Sequence, residues 1–193
     1  MKLGILGLGN PEKRYAFTRH NVGHWLIDAL YSHFKTIPVK QESFFASSVK
    51  LLSHELILLK SVNFMNSSGI GLKKFLHNCS LDHDNLLVVH DEMNLPLGRA
   101  LISLGKSDGG HNGVLSVHQN LGHRPPRLRI GIGSKPKSVQ KLSDYVLAEF
   151  SKDDLIILNN LFPKLLHSLE LILRKSFSAA MNFTNQNPLP SPK

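Results

Sequence analysis

Residues 3–21 read LGILGLGNPEKRYAFTRHN, and no other stretch of the chain is as informative about its fold. The apolar start, residues 3–6, predicts a buried strand, and the Gly-x-Gly-Asn-Pro that follows predicts a tight loop at the carboxyl end of that strand. Open α/β sheets bind their ligands at that edge. His20 comes ten residues after Asn10 and has polar neighbours on both sides, so it is a candidate base. The stretch therefore predicts both the first strand of a sheet and part of a site.

The length and composition predict one soluble domain. The chain has 193 residues, of which 41% are hydrophobic. A chain of that size can form a stable hydrophobic core without disulfide bonds. The single cysteine, Cys79, excludes an intramolecular disulfide and favours a reducing cytosol, so we expect a cytoplasmic protein. No apolar run approaches the ~20 residues of a membrane span, and the segment before Asn10 is too short for a signal peptide.

The charge balance favours a polyanionic partner. Lys and Arg number 23 against 14 Asp and Glu, which gives a formal net charge of +9 with the histidines neutral. Nucleic acid is the favoured partner, and a membrane is the weaker option because no Lys-rich amphipathic helix with bulky apolar anchors is present. Charge alone leaves open a basic surface without any partner.

Strand and helix patterns alternate along the chain. The predicted strands are residues 3–6, 44–52, 55–59, 86–89, 100–104 and 128–132, and the predicted helices are residues 21–34, 67–77 and 111–121. This alternation predicts a single-domain α/β fold, in which helices flank a mixed β-sheet with largely parallel central strands.

The C-terminal part predicts a loop, a long helix and a tail. Residues 134–143 are polar and basic and predict a mobile loop. A capped helix is expected to begin at Ser151 and to continue to about Phe177, with a kink or a break at Pro163. The domain is expected to span residues 1–184, and residues 185–193 are expected to form a disordered tail.

Polar clusters follow several of the predicted strands. Besides Asn10 and His20, these are residues 63–69, the run His90-Asp91-Glu92, and the loop at residues 109–113. Parallel central strands bring such loops to one edge of the sheet. The chain lacks HExxH and CxxC, and no Ser or Cys stands in a nucleophile-elbow setting, so neither a serine nucleophile nor a metal site is predicted. The remaining groups suit general-base catalysis with water as the nucleophile.

Five strings in this order and spacing resemble bacterial peptidyl-tRNA hydrolase: GLGNPEKRYAFTRHNVG, NFMNSSG, VVHDEMNLPLG, GGHNG and RLRIGIG. The resemblance extends to about Phe150. It implies a monomeric carboxylic ester hydrolase that cleaves the bond between a peptide and the 3′ end of tRNA and so recycles tRNA released from the ribosome. It implies no metal or organic cofactor. The implied partners are peptidyl-tRNA, through its 3′ end and acceptor region, and a stalled 50S ribosomal subunit.

The resemblance also implies roles for individual residues. His20 matches the catalytic base, Asp91 matches its carboxylate partner, and Asn10 matches a residue that distinguishes a blocked α-amino group from a free one. The residues implied to contact substrate are Tyr15, Phe64, Asn66 and Asn112. The candidates for further contacts with tRNA are His111, Lys106, Arg129, Arg124 and Lys135. For His111 two interpretations stay open, because a histidine after two glycines can assist catalysis or begin a helix.

The same residues leave two other functions as alternatives to hydrolysis. The first is a non-catalytic RNA-binding relative that resembles the chloroplast intron-splicing factor of this family. The joint presence of four residues argues against it: Asn10, His20, Asp91 and Asn112. The second is a dinucleotide-binding oxidoreductase, suggested by Gly7-Leu8-Gly9 after a strand. It fails because Glu12 stands where the third glycine is needed and Pro11 interrupts the helix start.

Overall fold

Seven strands form one mixed sheet within residues 1–186, which are the residues that this computed structural model describes. The strands are β1 (Lys2–Gly7), β2 (Val39–Gln41), β3 (Phe44–Leu51), β4 (His54–Ser61), β5 (Leu86–Glu92), β6 (Ala100–Ser103) and β7 (Arg127–Gly131). The helices are α1 (Val22–His33), α2 (Leu72–Asn78), α3 (Asn112–Leu121), α4 (Leu142–Val146), α5 (Lys152–Arg174) and α6 (Phe177–Asn185).

The central strands of this sheet are parallel. The strand order is β2-β3-β4-β1-β5-β7-β6. β1 pairs in parallel with β4 and β5, and β5 pairs in parallel with β7, whereas the outer pairs β2–β3, β3–β4 and β6–β7 are antiparallel. The predicted fold class is therefore confirmed, and the carboxyl ends of β4, β1, β5 and β7 meet at one edge.

Alternate residues of the first strand enter two different cores. Leu3 and Ile5 pack in the core that contains α1 and α5, whereas Leu6, and Leu8 directly after the strand, pack in the core that contains α2 and α3. All four side chains are fully buried. Successive strand residues point to opposite faces, so an apolar run without alternation means that helices cover both faces of β1.

Helix α1 lies so close to the end of β1 that its second residue has no room for a side chain. A Cβ on Gly23 would lie 2.5 Å from the backbone oxygens of Leu8 and Val89. The N–H of His24 donates a hydrogen bond of 3.2 Å to the Leu8 carbonyl. The close contact sets the position of the turn before α1, which carries His20.

We expect Gly23→Ala to lower the free energy of unfolding by about 1–3 kcal/mol, because the added methyl group must push backbone atoms apart. A thermal melt should then fall by about 2–4 °C for each kcal/mol lost. Ser32→Ala is the matched control, since Ser32 is an exposed residue of the same helix. A melting temperature of Gly23→Ala equal to that of the control would show that the packing at this crossing is looser than described.

Helix α5 does not break at Pro163. The proline removes one backbone donor, and the carbonyl that loses its partner belongs to Asn159, four residues earlier. Both residues are exposed, so the loss falls on the solvent-facing side of the helix, and the helix continues with its apolar side packed in the core. The chain instead leaves the helix after Arg174, and Ser176 begins α6 by accepting a hydrogen bond of 3.1 Å from the N–H of Ala179.

Two short elements were not predicted. Strand β2 is a three-residue exposed edge, and its length gives too little pattern to detect. Helix α4 begins at Leu142, inside the segment that was expected to be a loop. Its position depends on Tyr145, which is buried and donates a hydrogen bond of 2.8 Å to the Ile132 carbonyl.

Asn185 belongs to the folded domain, not to a tail as predicted. It is the last residue of α6, and its side-chain amide pairs with the backbone of Ile102 on the edge strand β6. Its oxygen accepts from the Ile102 N–H at 2.7 Å, and its nitrogen donates to the Ile102 carbonyl at 3.0 Å. The predicted boundary is therefore early, and the prediction for residues 187–193 lies outside the described residues.

Helix α5 has the length and composition to cross a membrane, and it is the one such helix within residues 1–186. This differs from the expectation that no segment approaches that length. Most of its apolar side chains pack in the core, where Leu158, Leu165 and Leu169 are fully buried, and Ile156 and Ile157 are the exposed ones. The core of the domain therefore accounts for its hydropathy.

Candidate active site

A cavity of about 890 Å³ opens at the edge where the parallel strands end. Its walls come from the loop after β1, the segment after β4, the end of β5, the loop before α3, and α4. This is the edge at which the polar clusters of the sequence were expected to meet. The fold therefore brings these five segments, which are distant in sequence, into one cavity.

The centre of the cavity is a carboxylate that accepts two histidine hydrogen bonds. Oδ1 of Asp91 lies 2.8 Å from Nδ1 of His20 and 2.9 Å from Nε2 of His111. Asp91 is near the end of β5, His20 lies in the turn before α1, and His111 immediately precedes α3. The two imidazole rings are 4.9 Å apart between centroids. Sequence analysis predicted the His20–Asp91 contact and left the role of His111 open.

The protonation of His111 follows from its second set of hydrogen bonds. Its Nδ1 accepts from the backbone N–H groups of Gly113 at 3.1 Å and Val114 at 3.3 Å, so it caps the N-terminus of α3. Because a backbone N–H can only donate, Nδ1 carries no proton and Nε2 carries it. His111 is therefore a neutral donor to Asp91, and it both begins a helix and belongs to the site.

Asp91 is charged in spite of its burial. Burial alone raises the pKa of this carboxyl, but the hydrogen bonds that it accepts from His111 and His20 hold the pKa well below its usual range. The carboxylate therefore holds the Nδ1–H of His20 and leaves Nε2 of that ring as the lone-pair nitrogen. Nε2 of His20 has no hydrogen-bond partner among residues 1–186.

Asn10 is locked in place by its neighbours. Its Oδ1 accepts a hydrogen bond of 2.9 Å from the Met65 N–H, which fixes the orientation of the amide. Its backbone N–H and carbonyl pair with the side chain of Asn21 at 2.8 and 2.9 Å. Asn10 lines the cavity, and its Nδ2 has no hydrogen-bond partner within the described part of the chain. The site therefore contains a fixed amide donor beside the His20–Asp91 pair.

Comparison with known proteins identifies the family. A family model described as Peptidyl-tRNA hydrolase matches residues 4–191. The chain belongs to the peptidyl-tRNA hydrolase family. The resemblance seen in the five sequence strings is thereby confirmed, and the match also covers the C-terminal helices, where the strings gave no signal.

Individual members of the peptidyl-tRNA hydrolase family cover nearly the whole chain. The peptidyl-tRNA hydrolase of Thermotoga petrophila is 43% identical over 94% of this chain and 96% of its own length. That of Persephonella marina is 33% identical over the same shares. The crystal structure of peptidyl-tRNA hydrolase from Acinetobacter baumannii has a TM-score of 0.87 and 29% identity, covering 95% of this chain and 94% of the other.

Three of the four residues expected to contact substrate line the cavity. They are Phe64, Asn66 and Asn112. Phe64 is 48% exposed, so its ring face is available for stacking. Tyr15 is not among the cavity-lining residues, and the guanidinium of Arg14 lies over its ring at 4.7 Å. The structure thus separates Tyr15 from the other three.

The predicted basic contacts divide into two groups. Lys106 and Arg129 line the cavity, although the guanidinium of Arg129 pairs with Glu92, with Nε at 3.0 Å from Oε2. Arg124 instead borders a small recess beside the cavity. Lys135 donates to the Val139 carbonyl and does not line the cavity. Only the first group is brought together with the catalytic candidates.

Sequence analysis missed Arg127. Its side chain is buried in the cavity wall and donates a hydrogen bond of 2.7 Å to the Ser107 carbonyl, and burial lowers its pKa. The alternation Arg127-Leu128-Arg129 on a strand would have indicated it, because residues two apart share a face. Arg127 therefore ties the loop that carries Lys106 to β7.

Two buried histidines support the walls of the site. His90 is enclosed, its Nδ1 donates to the Asp91 carbonyl at 2.7 Å, and burial lowers its pKa well below the usual range. His24 lies so close to Gly9 that a Cβ there would be 2.5 Å from its ring. Burial, with a contribution from Lys60, lowers the pKa of His24 to about 3. Both rings are therefore neutral packing groups near pH 7.

The three central side chains also have the atoms of a metal site. Nδ1 of His20, Oδ1 of Asp91 and Nε2 of His111 lie within 4.8 Å of one another. A metal ion bound by these atoms would replace both hydrogen bonds to the carboxylate. The arrangement as it stands satisfies Asp91 without a metal, and it is that of a base held by a charged partner.

Proposed function

We propose that this protein hydrolyses the ester bond that joins a peptide, or an N-blocked aminoacyl group, to the 3′ end of tRNA. The observation that carries the proposal is the His20–Asp91 pair at 2.8 Å beside the fixed amide of Asn10. Membership in the peptidyl-tRNA hydrolase family and the net charge of +9 support it. The product is free tRNA, which becomes available for another round of aminoacylation.

His20 is the general base of the proposed reaction. Its Nε2 removes a proton from a water molecule as the water oxygen attacks the ester carbonyl, and Asp91 stabilises the imidazolium that forms. The carbonyl π electrons move to oxygen and give a tetrahedral intermediate. When this intermediate collapses, the bond to the ribose oxygen breaks and His20 returns the proton to that oxygen. His111 keeps Asp91 oriented throughout.

The cavity amides bind the substrate in this proposal. Asn66 and Asn112 line the cavity and supply N–H donors for the carbonyl oxygen as it gains negative charge. Phe64 stacks on the terminal adenine, and such stacking is worth about 1–3 kcal/mol per base. Lys106 and Arg129, which line the cavity, contact the phosphates that follow, and His111 contacts the 3′ end from within the cavity. The remaining candidates lie outside the cavity and are Arg124, Tyr15 and Lys135.

Asn10 distinguishes a blocked amine from a free one. Its Oδ1 is used by Met65, so the group that it offers to substrate is the Nδ2 donor. A peptide carbonyl accepts from that donor. A free ammonium group has only donors, so it faces the Nδ2 hydrogens without a partner and loses its hydration.

We expect Asn10→Asp to reduce this selectivity by about tenfold or more, because a carboxylate attracts the ammonium group that the amide excludes, and 1.4 kcal/mol corresponds to a factor of ten. The measurement is the ratio of kcat/KM for N-acetylated and free aminoacyl-tRNA. Asn78→Asp, at an exposed position on α2, is the matched control for the change of charge. An unaltered ratio in Asn10→Asp would reject the assigned role.

The proposal extends to the setting of the reaction. We infer that the protein acts as a monomer in the cytoplasm, on peptidyl-tRNA through its 3′ end and acceptor region, and on peptidyl-tRNA held by a stalled 50S subunit. The excess of positive charge supports an RNA partner.

One assay separates hydrolysis from RNA binding alone. Labelled N-acetyl-aminoacyl-tRNA is incubated with the wild-type protein, and both the released label and the bound RNA are measured. Hydrolysis is expected. Binding without release would instead favour the non-catalytic RNA-binding alternative, against which the intact His20–Asp91–His111 arrangement argues.

A further inference from the structure

A second histidine–carboxylate cluster lies at the amino ends of the parallel strands, on the side of the sheet opposite to the cavity. His83 and Asp84 are in the turn that precedes β5, and His123 lies between α3 and β7. Oδ1 of Asp84 is 3.2 Å from Nδ1 of His83 and 3.1 Å from Nε2 of His123. β5 and β7 are parallel neighbours, so their amino ends bring these residues together. None of the three lines the cavity.

The two imidazoles of this cluster are arranged around one carboxylate oxygen. Their centroids are 4.4 Å apart and their planes differ by 33°. Nε2 of His123 is shielded from solvent and, although it is near Asp84, makes no properly directed hydrogen bond within residues 1–186. Asp82 adds a second carboxylate, with Oδ1 at 3.5 Å from Nδ1 of His83. The cluster therefore offers nitrogen lone pairs and negative charge at one point.

We propose that His83, Asp84 and His123 bind a divalent transition metal ion of the zinc type. All three ligand atoms lie within 4.8 Å of one another. Tetrahedral coordination with bonds of about 2.1 Å separates neighbouring ligand atoms by about 3.4 Å, close to the two nitrogen–oxygen distances at Asp84. Imidazole nitrogens select zinc, nickel or copper over magnesium or calcium. Water completes the coordination.

The ion at this site is structural. It joins the start of β5 to the segment that leads into β7, and both strands carry cavity residues at their other ends. The unfolded chain does not hold the three ligands together, so metal binding stabilises the folded state. With zinc tenfold above its Kd, the melting temperature should rise by about 3–6 °C.

Zinc is the probe for the test, and bound zinc per chain is measured by equilibrium dialysis. The compared proteins are wild type, His83→Asn, His123→Asn, the double variant and His77→Asn, whose exposed histidine lies outside the cluster and controls for surface binding. Wild type and His77→Asn should bind one more zinc than the double variant, and only they should show the thermal shift. Each single variant should bind zinc at least tenfold more weakly than wild type.

Two further measurements check that the variants are folded and that the metal is coordinated by the cluster. Hydrolase activity of the double variant should equal that of wild type, since the cluster is remote from the cavity, and this verifies folding. Cobalt in place of zinc should give tetrahedral visible absorption in wild type and not in His123→Asn. Equal zinc binding by wild type and double variant, or no binding up to millimolar zinc, would overturn the proposal. A His20→Asn variant, altered in the cavity, should keep the bound zinc. Loss of the zinc in that variant, with retention in the double variant, would place the ion in the cavity and would also overturn the proposal.

Discussion

His20→Ala is expected to lower kcat for N-acetyl-aminoacyl-tRNA by about 10²–10⁴-fold, the usual contribution of a general base. The alanine leaves no group within reach of the water, while Asn10, Asn66 and Asn112 still bind the substrate. KM should therefore change much less than kcat. Single-turnover release of the labelled aminoacyl group measures the chemical step directly.

The control for His20→Ala is His77→Ala, which removes an imidazole from an exposed position on α2. Equal melting temperatures of the two variants would show that the loss of activity is not a loss of fold. Turnover of His20→Ala near the wild-type rate would contradict the assignment of the base, and the cavity would then need another one.

Asp91→Asn is expected to lower kcat by about 10³–10⁴-fold, by analogy with loss of the orienting carboxylate in a catalytic triad. The amide no longer forces the proton of His20 onto Nδ1, and it does not stabilise the imidazolium. Lowering the pH moderately is no substitute for this variant, because the pKa of Asp91 is held well below its usual range and the carboxylate stays charged. The pH–rate profile and kcat are measured together.

A matched change elsewhere is Asp144→Asn, at an exposed position on α4. It removes the same charge without touching the histidines. If Asp91→Asn kept most of the activity with an unaltered pH–rate profile, the carboxylate would be a packing group, and the base would act without a charged partner.

The sequence predicts that His20 and Asp91 are neighbours, and the structure places their side chains in contact. The sequence leaves the role of His111 open. His20 and Asp91 were paired on the strength of a resemblance, because 71 residues separate them and no local pattern joins them. His111 could either cap a helix or take part in the site, and the structure shows that the same ring does both. That result needed the positions of two backbone N–H groups, which no periodicity encodes.

Other differences between the sequence-based expectations and the structure also have physical reasons. Pro163 breaks helices on average, yet here the lost hydrogen bond faces solvent and the apolar face of α5 stays packed. Asn185 was assigned to a tail because its neighbours are polar, whereas its amide pairs with β6 across 83 residues of sequence. Arg124 and Lys135 stay proposed tRNA contacts, but they lie outside the cavity, because charge alone does not say which way a side chain points.

The sequence by itself determined the layers of this protein, since the period of apolar residues depends only on local backbone geometry. It also determined that polar groups gather at the carboxyl ends of parallel strands. Only the tertiary structure decided which of those groups meet. Asp91 accepts hydrogen bonds from two histidines, and Asn10 keeps only its Nδ2 group for substrate. Arg129 is paired with Glu92. These contacts form because β1, β5 and β7 lie side by side. Such contacts depend on the order and register of the strands. Order and register are determined jointly by residues that are far apart in the sequence.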